Sequence, residues 1–498
     1  MTLEQLYDPE HFRQAAHRIV DLLADYLAAL RLDPSAQKVL DFNDPDTCYE
    51  EALRLWNDPS PASLDEALAV FLRKITRMHH PHYLGHQTSV VAPPAALAEL
   101  VGALLDPGMG VFEQGTLGVA LERIIAEKLA GLAGWGAQAG GFLTSGGTLG
   151  NLTALLCARQ VMTDGVAWSY GTSSQPLAFM ASAQAHYSVD RAVRTMGLGA
   201  QGLISVPTND RYQLEADKLE PLYQQATERG IRIIGVVASS CSTATGSFDP
   251  LPAIADFCEK HKLWLHVDGA HGACVLFSKK HRHLLEGIER ADSFILDFHK
   301  MLMTPKLATA VVFRNNDSGF RTFSQQASYL WQADEAPEWY NLGKRTFELT
   351  KSFMSIRIYA LWRVFGERIF EENTDRLFEL ASHFNELLQR APDFDTAIPH
   401  PQANILCFRH CPPGLDHSRL DHLQVALREK LVREGKWFVV GTRLAGRQWL
   451  RTTLMNPFTT IADLETLLDD IRRAAADIIA SAGGTDAKAD RGSGRESR

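Results

Sequence analysis

The apolar positions of the chain first recur with a helical period. Ile19, Leu22, Leu23, Tyr26, Leu27 and Leu30 form one stripe of a helix predicted over Phe12–Leu30. That stripe packs either on its own domain or on a partner subunit. After a proline-punctuated stretch, helices are predicted over Leu64–Met78, from Pro93 to Leu105 and over Leu121–Leu132. Between the first two of these, His80–Thr88 reads as an irregular loop rich in hydrogen-bonding groups, the kind of segment that can line a site.

From about Gly141 to Phe313 the pattern changes. Short apolar, β-rich runs at Leu177–Ala181, Ile233–Ala238, Leu263–Val267, Phe294–Leu296 and Ala308–Phe313 alternate with helical runs at Leu149–Ala158, His186–Met196, Leu214–Arg229 and Leu251–His261. Such alternation predicts an α/β fold with a mostly parallel sheet covered on both faces. Ligands of such sheets sit at the carboxyl ends of the strands. Farther on, Phe323–Ala336 reads as a loop, and Leu342–Phe365 and Ile369–Arg390 as long helices. Ile405–Arg409, Trp437–Gly441 and Trp449–Leu454 read as strands of a smaller α/β domain, followed by a helix over Ile461–Ser481. The expected organisation is a helical segment over residues 1–100, a large domain over 101–365, a small C-terminal domain over 366–481 and a disordered polar tail over 482–498. No internal repeat is visible.

Composition narrows the class. A chain of 498 residues that is 45% hydrophobic and 22% charged suits a globular enzyme with a substantial core. A formal net charge of -9 argues against nucleic acid or an anionic membrane as the main partner. No apolar run approaches the roughly 20 residues that cross a bilayer. Met1–Gln5 lack the basic region and apolar core of a signal, so a cytoplasmic location is expected. The seven cysteines are scattered with no CxxC pair and read as buried or incidental thiols. His79, His80, His82 and His86 cluster, but Pro81 interrupts them and no carboxylate stands at a suitable spacing, so no metal is expected.

The strand ends carry the candidate chemistry. The run Phe294–Leu296 leads into Asp297, Phe298, His299 and Lys300. A lysine directly after a buried strand is poorly placed for a solvated charge, and a desolvated amine can form a Schiff base with a carbonyl. Asp268 ends the apolar run Trp264–Val267, and a buried carboxylate needs a partner such as a pyridinium N–H. Thr144–Thr148 puts the pair Gly146–Gly147 at the start of a helix, where backbone N–H groups and the helix dipole favour a phosphate, and the hydroxyls of Ser145 and Thr148 add donors. His186, just past a strand, suits stacking on a flat ring or proton transfer. Thr243 follows another strand and can donate to a phenolic oxygen. Phosphate cradle, carboxylate and lysine, in that order, are the parts that hold pyridoxal phosphate.

With these residues the chain resembles the group II pyridoxal-phosphate-dependent amino-acid decarboxylases, which include the aromatic-L-amino-acid, glutamate, cysteine-sulfinate and 2,4-diaminobutyrate decarboxylases. The resemblance is carried by Thr144–Thr148, His186–Ala192, Ser247–Pro250, His266–Ala270, Ala291–Ser293 and Asp297–Lys300, and it runs from about Phe12 to Ser481. It implies the aspartate-aminotransferase-type fold, known as fold type I, and a homodimer with active sites at the subunit interface. It also implies that Lys300 is joined to the cofactor aldehyde and that Asp268 pairs with the ring nitrogen. His186 would stack on one ring face and Ala270 lie against the other. Gly146, Gly147, Thr148 and His299 would hold the phosphate, and Thr243 would lie near the ring oxygen or the lysine.

Some positions depart from the family pattern. Gly269 replaces a common alanine. Asp297 stands where many members carry asparagine, and a carboxylate there repels a phosphate unless it is otherwise hydrogen-bonded. Many members protonate the substrate carbon with a tyrosine of a mobile loop. Counting back from Gly343–Arg345, its place falls within Asp334–Pro337, which holds no tyrosine. Tyr340, Tyr329 and a donor linked to His186 are the candidates for that proton, with Tyr340 and His186 counted as catalytic. For the substrate side chain the candidates are His86, Gln87, Thr88, Glu113 and Arg451, the last suited equally to a distal carboxylate or to a structural role. The expected reaction is α-decarboxylation of an L-amino acid to an amine and carbon dioxide. The alternatives on the same fold are an aminotransferase and an oxidative decarboxylase that makes an aldehyde. The short loop and Gln87 favour a nonaromatic substrate.

Overall fold

The structure is a computed structural model that describes residues 2–59, 63–172, 175–323 and 338–492, with side chains to residue 481. The chain forms two compact units. One comprises Gln87–Glu379 with His400–Ile405; the other gathers the residues up to His86, Leu380–Pro399 and those from Leu406 on.

The first unit is built on a seven-stranded sheet of β1 (Gly140–Thr144), β2 (Leu177–Ser182), β3 (Leu203–Val206), β4 (Arg232–Ser239), β5 (Trp264–Asp268), β6 (Ser293–Asp297) and β7 (Thr309–Phe313), in the order β1-β7-β6-β5-β4-β2-β3. All neighbours are parallel except β7, which runs antiparallel to both β1 and β6. The α/β expectation with a mostly parallel sheet is met. The strands other than the edge strand β3 are buried on both faces, as their unbroken apolar runs require. Phe142, Phe179, Ile234, Val237, Ile295 and Val311 share one core with Ala154, Leu155 and Ala158 of the Gly147–Met162 helix.

Register decides where the chemistry meets. Ser239 pairs with Asp268, and Asp268 with Ile295, so the ends of β4, β5 and β6 lie side by side. Asp297 pairs with Thr309, and Thr309 with Thr144. The residues that follow β1 and β6, Ser145–Gly147 and Phe298–Lys300, therefore leave the sheet at one edge.

The second unit carries the helices Pro9–Leu32 and Leu64–Lys74 and a four-stranded sheet. Its strands are β8 (Phe394–Thr396), β9 (Ile405–His410), β10 (Val440–Leu444) and β11 (Arg447–Thr453), in the order β10-β11-β9-β8. Phe384, Phe408, Leu427, Trp437, Leu450, Leu467 and Ile471 form its core. The clustered histidines have structural partners here. His80 Nε2 lies 2.9 Å from Pro34 O, and His82 stacks on Trp437 at 3.8 Å and lies 3.1 Å from Asp463. Among the described residues no group of three or more His, Cys, Asp or Glu is disposed to hold a metal, and no helix is long and apolar enough to cross a membrane.

Several boundaries differ from the sequence reading. Of the α-helix expected over Leu342–Phe365 only Met354–Phe365 forms, preceded by a single 3-10 turn over Leu342–Lys344. Residues 345–353 instead run irregularly, because Glu348 and Lys351 are drawn to fixed partners on the sheet and on a helix. The helix expected from Leu121 begins at Phe112 and breaks at Thr116, where φ is 32°. The helix expected over Leu214–Arg229 is confined to Leu219–Glu228, and the one expected to Met78 stops at Lys74, after which Ile75 is extended. The last helix runs on to Gly492, past Ser481, through the helix-compatible run Asp486–Arg491. Of the loop expected over Phe323–Ala336, Phe323 ends a short helix and the rest lies outside the described residues.

Candidate active site

Lys300 stands three residues beyond the end of β6, in a turn closed by Lys300 N donating to Asp297 O at 3.3 Å. Its Nζ lies 3.2 Å from Asp297 Oδ2. Asp297 is buried and well partnered: Thr309 Oγ1 donates to Oδ1, and His299 Nε2 lies 3.6 Å from Oδ2. The carboxylate that departs from the family pattern is thus held by a hydroxyl, an ammonium and an imidazole. His299 is fixed in turn, with Nδ1 3.0 Å from Ala308 O.

The glycine pair meets this group from the other side. Gly146 caps the Gly147–Met162 helix with φ 98°, a conformation that favours glycine. A Cβ on Gly147 would lie 3.2 Å from Asp297 Oδ2 and 3.4 Å from the Ala270 methyl. Only hydrogen therefore fits comfortably between the helix start, Asp297 and Ala270. No side chain caps this helix, so its first N–H groups stay available to an anion. Thr148 is exposed on the first turn. Ser145 is committed elsewhere: its hydroxyl donates to Glu348 Oε1, its N–H lies 3.4 Å from Glu348 Oε2, and Thr144 Oγ1 donates to the same oxygen at 2.6 Å.

Asp268 ends β5 almost fully buried. Its Oδ1 accepts from Ala270 N at 3.3 Å, and its Oδ2 from Asn151 Nδ2 at 2.9 Å. Asn151 lies one turn beyond Gly147 on the same helix face. Its Nδ2 also donates to Ser188 Oγ at 2.9 Å, and Ser188 Oγ lies 2.8 Å from His186 Nδ1. His186 is the N-cap of the Tyr187–Thr195 helix. Burial pushes its imidazole below the usual histidine value, against the pull of Asp268. Asn151 Oδ1 is met by His266 Nε2 at 2.9 Å. His266 is completely buried in β5, and burial pushes it down to about 4.

The structure thus brings together Lys300, His299, Gly147 and Ala270 around Asp297, and links Asp268 to His186 through Asn151 and Ser188. Thr243 sits half-buried in the loop after β4. Tyr340 OH donates to Glu338 at 2.9 Å, and its ring meets Phe112 edge-on at 5.3 Å. Tyr329 and Asp334–Pro337 lie outside the described residues. Gln87 Nε2 is buried with no hydrogen-bond partner, and Thr88 is half-buried. Ala92 N, just beyond them, donates to Met303 O at 2.9 Å and ties their segment to the turn after Lys300. Glu113 is exposed at the start of its helix. His86 and Arg451 belong to the other unit, where Arg451 is buried and Nη1 donates to Gly85 O at 3.4 Å.

Sequence reasoning missed Asn151, Ser188, His266 and Glu348. A signal existed for two of them. Asn151 is an amide on an otherwise buried apolar helix face, and His266 interrupts an apolar strand; both need buried partners. The arrangement fits pyridoxal phosphate. An uncapped helix start admits a phosphate, a buried carboxylate can meet a ring nitrogen, and an amine is held on Asp297, which borders that helix start.

Residues 49–411 match the family described as "Pyridoxal-dependent decarboxylase conserved domain". Human cysteine sulfinic acid decarboxylase is 29% identical over 461 residues, covering 89% of this chain and 92% of its own. The L-aspartate decarboxylase dtxS4 of Metarhizium robertsii is 30% identical over 364 residues, 72% of each chain. The solved structure of mouse CSAD superposes with a TM-score of 0.86 at 25% identity, covering 94% of this chain and 99% of that one. The fold is shared with Oryza sativa TDC solved with PLP and tryptamine, with a TM-score of 0.85 at 20% identity over 95% of this chain and 99% of that one.

Proposed function

The chain belongs to the group II pyridoxal-dependent decarboxylases, and from that premise we propose that it removes the α-carboxylate of an acidic L-amino acid. Pyridoxal phosphate is its cofactor, amino-acid decarboxylation its reaction, and fold type I its architecture. The acidic substrate is supported by relatives named for cysteine sulfinic acid, L-aspartate and acidic amino acids. When bound, the cofactor draws electrons from the substrate α-carbon and so eases loss of carbon dioxide.

The chain's own residues divide the rest of the work. Lys300 is the amine that joins the cofactor, and Asp297 holds that amine in place. Asp268 would hold the ring nitrogen in its protonated form by offering it a buried carboxylate oxygen. Gly146, Gly147 and Thr148 present the helix start to the phosphate, with His299 beside them. With the cofactor bound, His186 would stack on the ring, Ala270 would support its other face, and Thr243 would meet the ring oxygen. Tyr340 is the proposed proton source for the α-carbon. Its hydroxyl bond to Glu338 must then open or pass the proton on. Gln87, with its unpartnered buried amide, and Thr88 are assigned to the substrate, along with His86 and Glu113. Arg451 is the one cation among these candidates, and it is assigned to the distal acid group.

The observation that carries this reading is the juxtaposition of Lys300, Asp297, Ala270 and Gly147 beside Asp268 at adjoining strand ends. A homodimer in the cytoplasm is part of the same proposal. Leu97, Leu100, Val101, Leu104 and Leu105 leave one helix with an exposed apolar surface suited to a second copy.

A carbon dioxide release screen over the amino acids tests the proposal. It expects turnover of aspartate, glutamate or cysteine sulfinate and no turnover of tryptophan. Amino transfer to an added keto acid would identify an aminotransferase, and hydrogen peroxide with ammonia an oxidative decarboxylase. Either result would overturn the reading.

A further inference from the structure

A chain of buried polar groups joins Trp264 to His186, and Asp268, bonded to it at Asn151, fixes the direction of the bonds on either side. The indole N–H of Trp264 can only donate, and it donates to Ser293 Oγ at 2.9 Å. A carboxylate can only accept, so Asn151 must turn Nδ2 towards Asp268 Oδ2. Asn151 Oδ1 then faces His266 Nε2, which has to carry a proton. A neutral imidazole has one proton, so His266 Nδ1 is left to accept from the Ser293 hydroxyl, 2.9 Å away. Trp264, Ser293, His266, Asn151 and Ser188 are all buried, so water does not offer these groups other partners.

The same logic continues past Asn151. Its second amide proton goes to Ser188 Oγ. That hydroxyl is left to donate, and His186 Nδ1 lies 2.8 Å from it. The backbone N–H of Ser188 points at the same nitrogen, 3.3 Å away. Two donors converge on Nδ1, so Nδ1 carries no proton of its own.

Taking the decarboxylase reading above as given, we infer that Asn151, Ser188 and His266 are positioning residues that hold His186 with Nδ1 bare and its proton on Nε2. The same amide that holds Ser188 also fixes Asp268, so one buried set of bonds orients both residues assigned to the cofactor ring. The chemical consequence is specific. Neutral His186 offers Nε2–H as a hydrogen-bond donor and has no base at that nitrogen. It can hold a substrate carboxylate or a neighbouring hydroxyl, and the proton that reaches the α-carbon comes from another group.

Nitrogen-15 NMR of full-length protein labelled at histidine, with the His186 signals assigned by their loss in His186→Asn, reads this directly. Protein with and without added pyridoxal phosphate should show one tautomer, unprotonated at Nδ1 and protonated at Nε2. Ser188→Ala should mix the two tautomers. It should also lower kcat about five- to tenfold with KM unchanged within about twofold, the loss of one hydrogen bond made in the transition state. His266→Gln keeps an amide donor towards Asn151 and should retain the single tautomer, whereas His266→Leu should lose it. A proton on Nδ1 of His186 in the parent protein overturns the inference without any variant. So does a Ser188→Ala protein whose tautomer and kcat match the parent. If no amino acid is decarboxylated, the activity reading fails while the tautomer measurement still decides this one.

Discussion

Ser145 gives its hydroxyl proton to Glu348, a residue more than two hundred positions along the chain. Thr144 donates to the same carboxylate, so Glu348 clamps the end of β1 immediately before the glycine pair. Ser145, itself a candidate for the phosphate, thereby helps to hold the turn proposed to receive it.

This makes a coupled prediction. Ser145→Ala and Glu348→Ala should each weaken pyridoxal phosphate binding about five- to tenfold, because each frees the turn. The double variant should be little worse than Glu348→Ala alone, since that variant already removes the Ser145 bond along with the Thr144 one. Cofactor titration followed by visible absorbance measures it. Additive losses would mean that Ser145 meets the phosphate independently of Glu348.

His266 predicts an acid limit to stability. In the folded chain burial holds its imidazole near 4, partly opposed by Asp268, against an ordinary value of 6.5. Between those values the unfolded chain takes a proton that the folded chain refuses. The contribution is therefore fully present above about pH 6.5 and is lost as pH falls towards about 4, at about 1.4 kcal/mol per pH unit. Denaturant unfolding at pH 7 and pH 5 should show a loss in the parent about 2 kcal/mol larger than in His266→Gln, which has no proton to take up there.

Much of the site was legible because its residues end apolar runs. Lys300 and Asp268 follow strands whose unbroken apolar sequence marks them as buried, and parallel order then brings their ends together. The glycine pair was legible for the same reason, since it joins a strand to a helix. Asn151, Ser188 and His266 were not, because what they do depends on partners across the sheet rather than on neighbours in sequence. Residues 342–353 misled for a different reason. Their apolar spacing fits a helix, but Glu348 and Lys351 gain more from Ser145 and Glu122 than a helix would return. The stacking of His82 on Trp437 could not be foreseen, because the two are far apart in sequence.

Lys351 anchors that irregular segment from inside the core. Its Nζ lies 2.5 Å from Glu122 Oε1, and both side chains are fully buried. Glu122 also accepts from Leu143 N at 2.8 Å, which ties the pair to β1. Lys351→Met would leave a buried carboxylate unpaired and should destabilise the protein by about 3–5 kcal/mol in denaturant unfolding. Glu122→Leu combined with Lys351→Met should recover most of that loss. A double variant no more stable than the single one would show that the Leu143 contact, rather than the ion pair, dominates.

Lys300→Ala should abolish covalent attachment of the cofactor and lower decarboxylation by a factor on the order of a thousand or more, with Asp297 left beside an empty position. The most direct measurement is peptide mass mapping of the pyridoxal-phosphate-loaded parent after borohydride reduction. A phosphopyridoxyl group fixed on Lys300, and on no other lysine in stoichiometric amount, is the result expected. A stoichiometric label on a different lysine, or none at all, would contradict the assignment of this strand end as the catalytic centre.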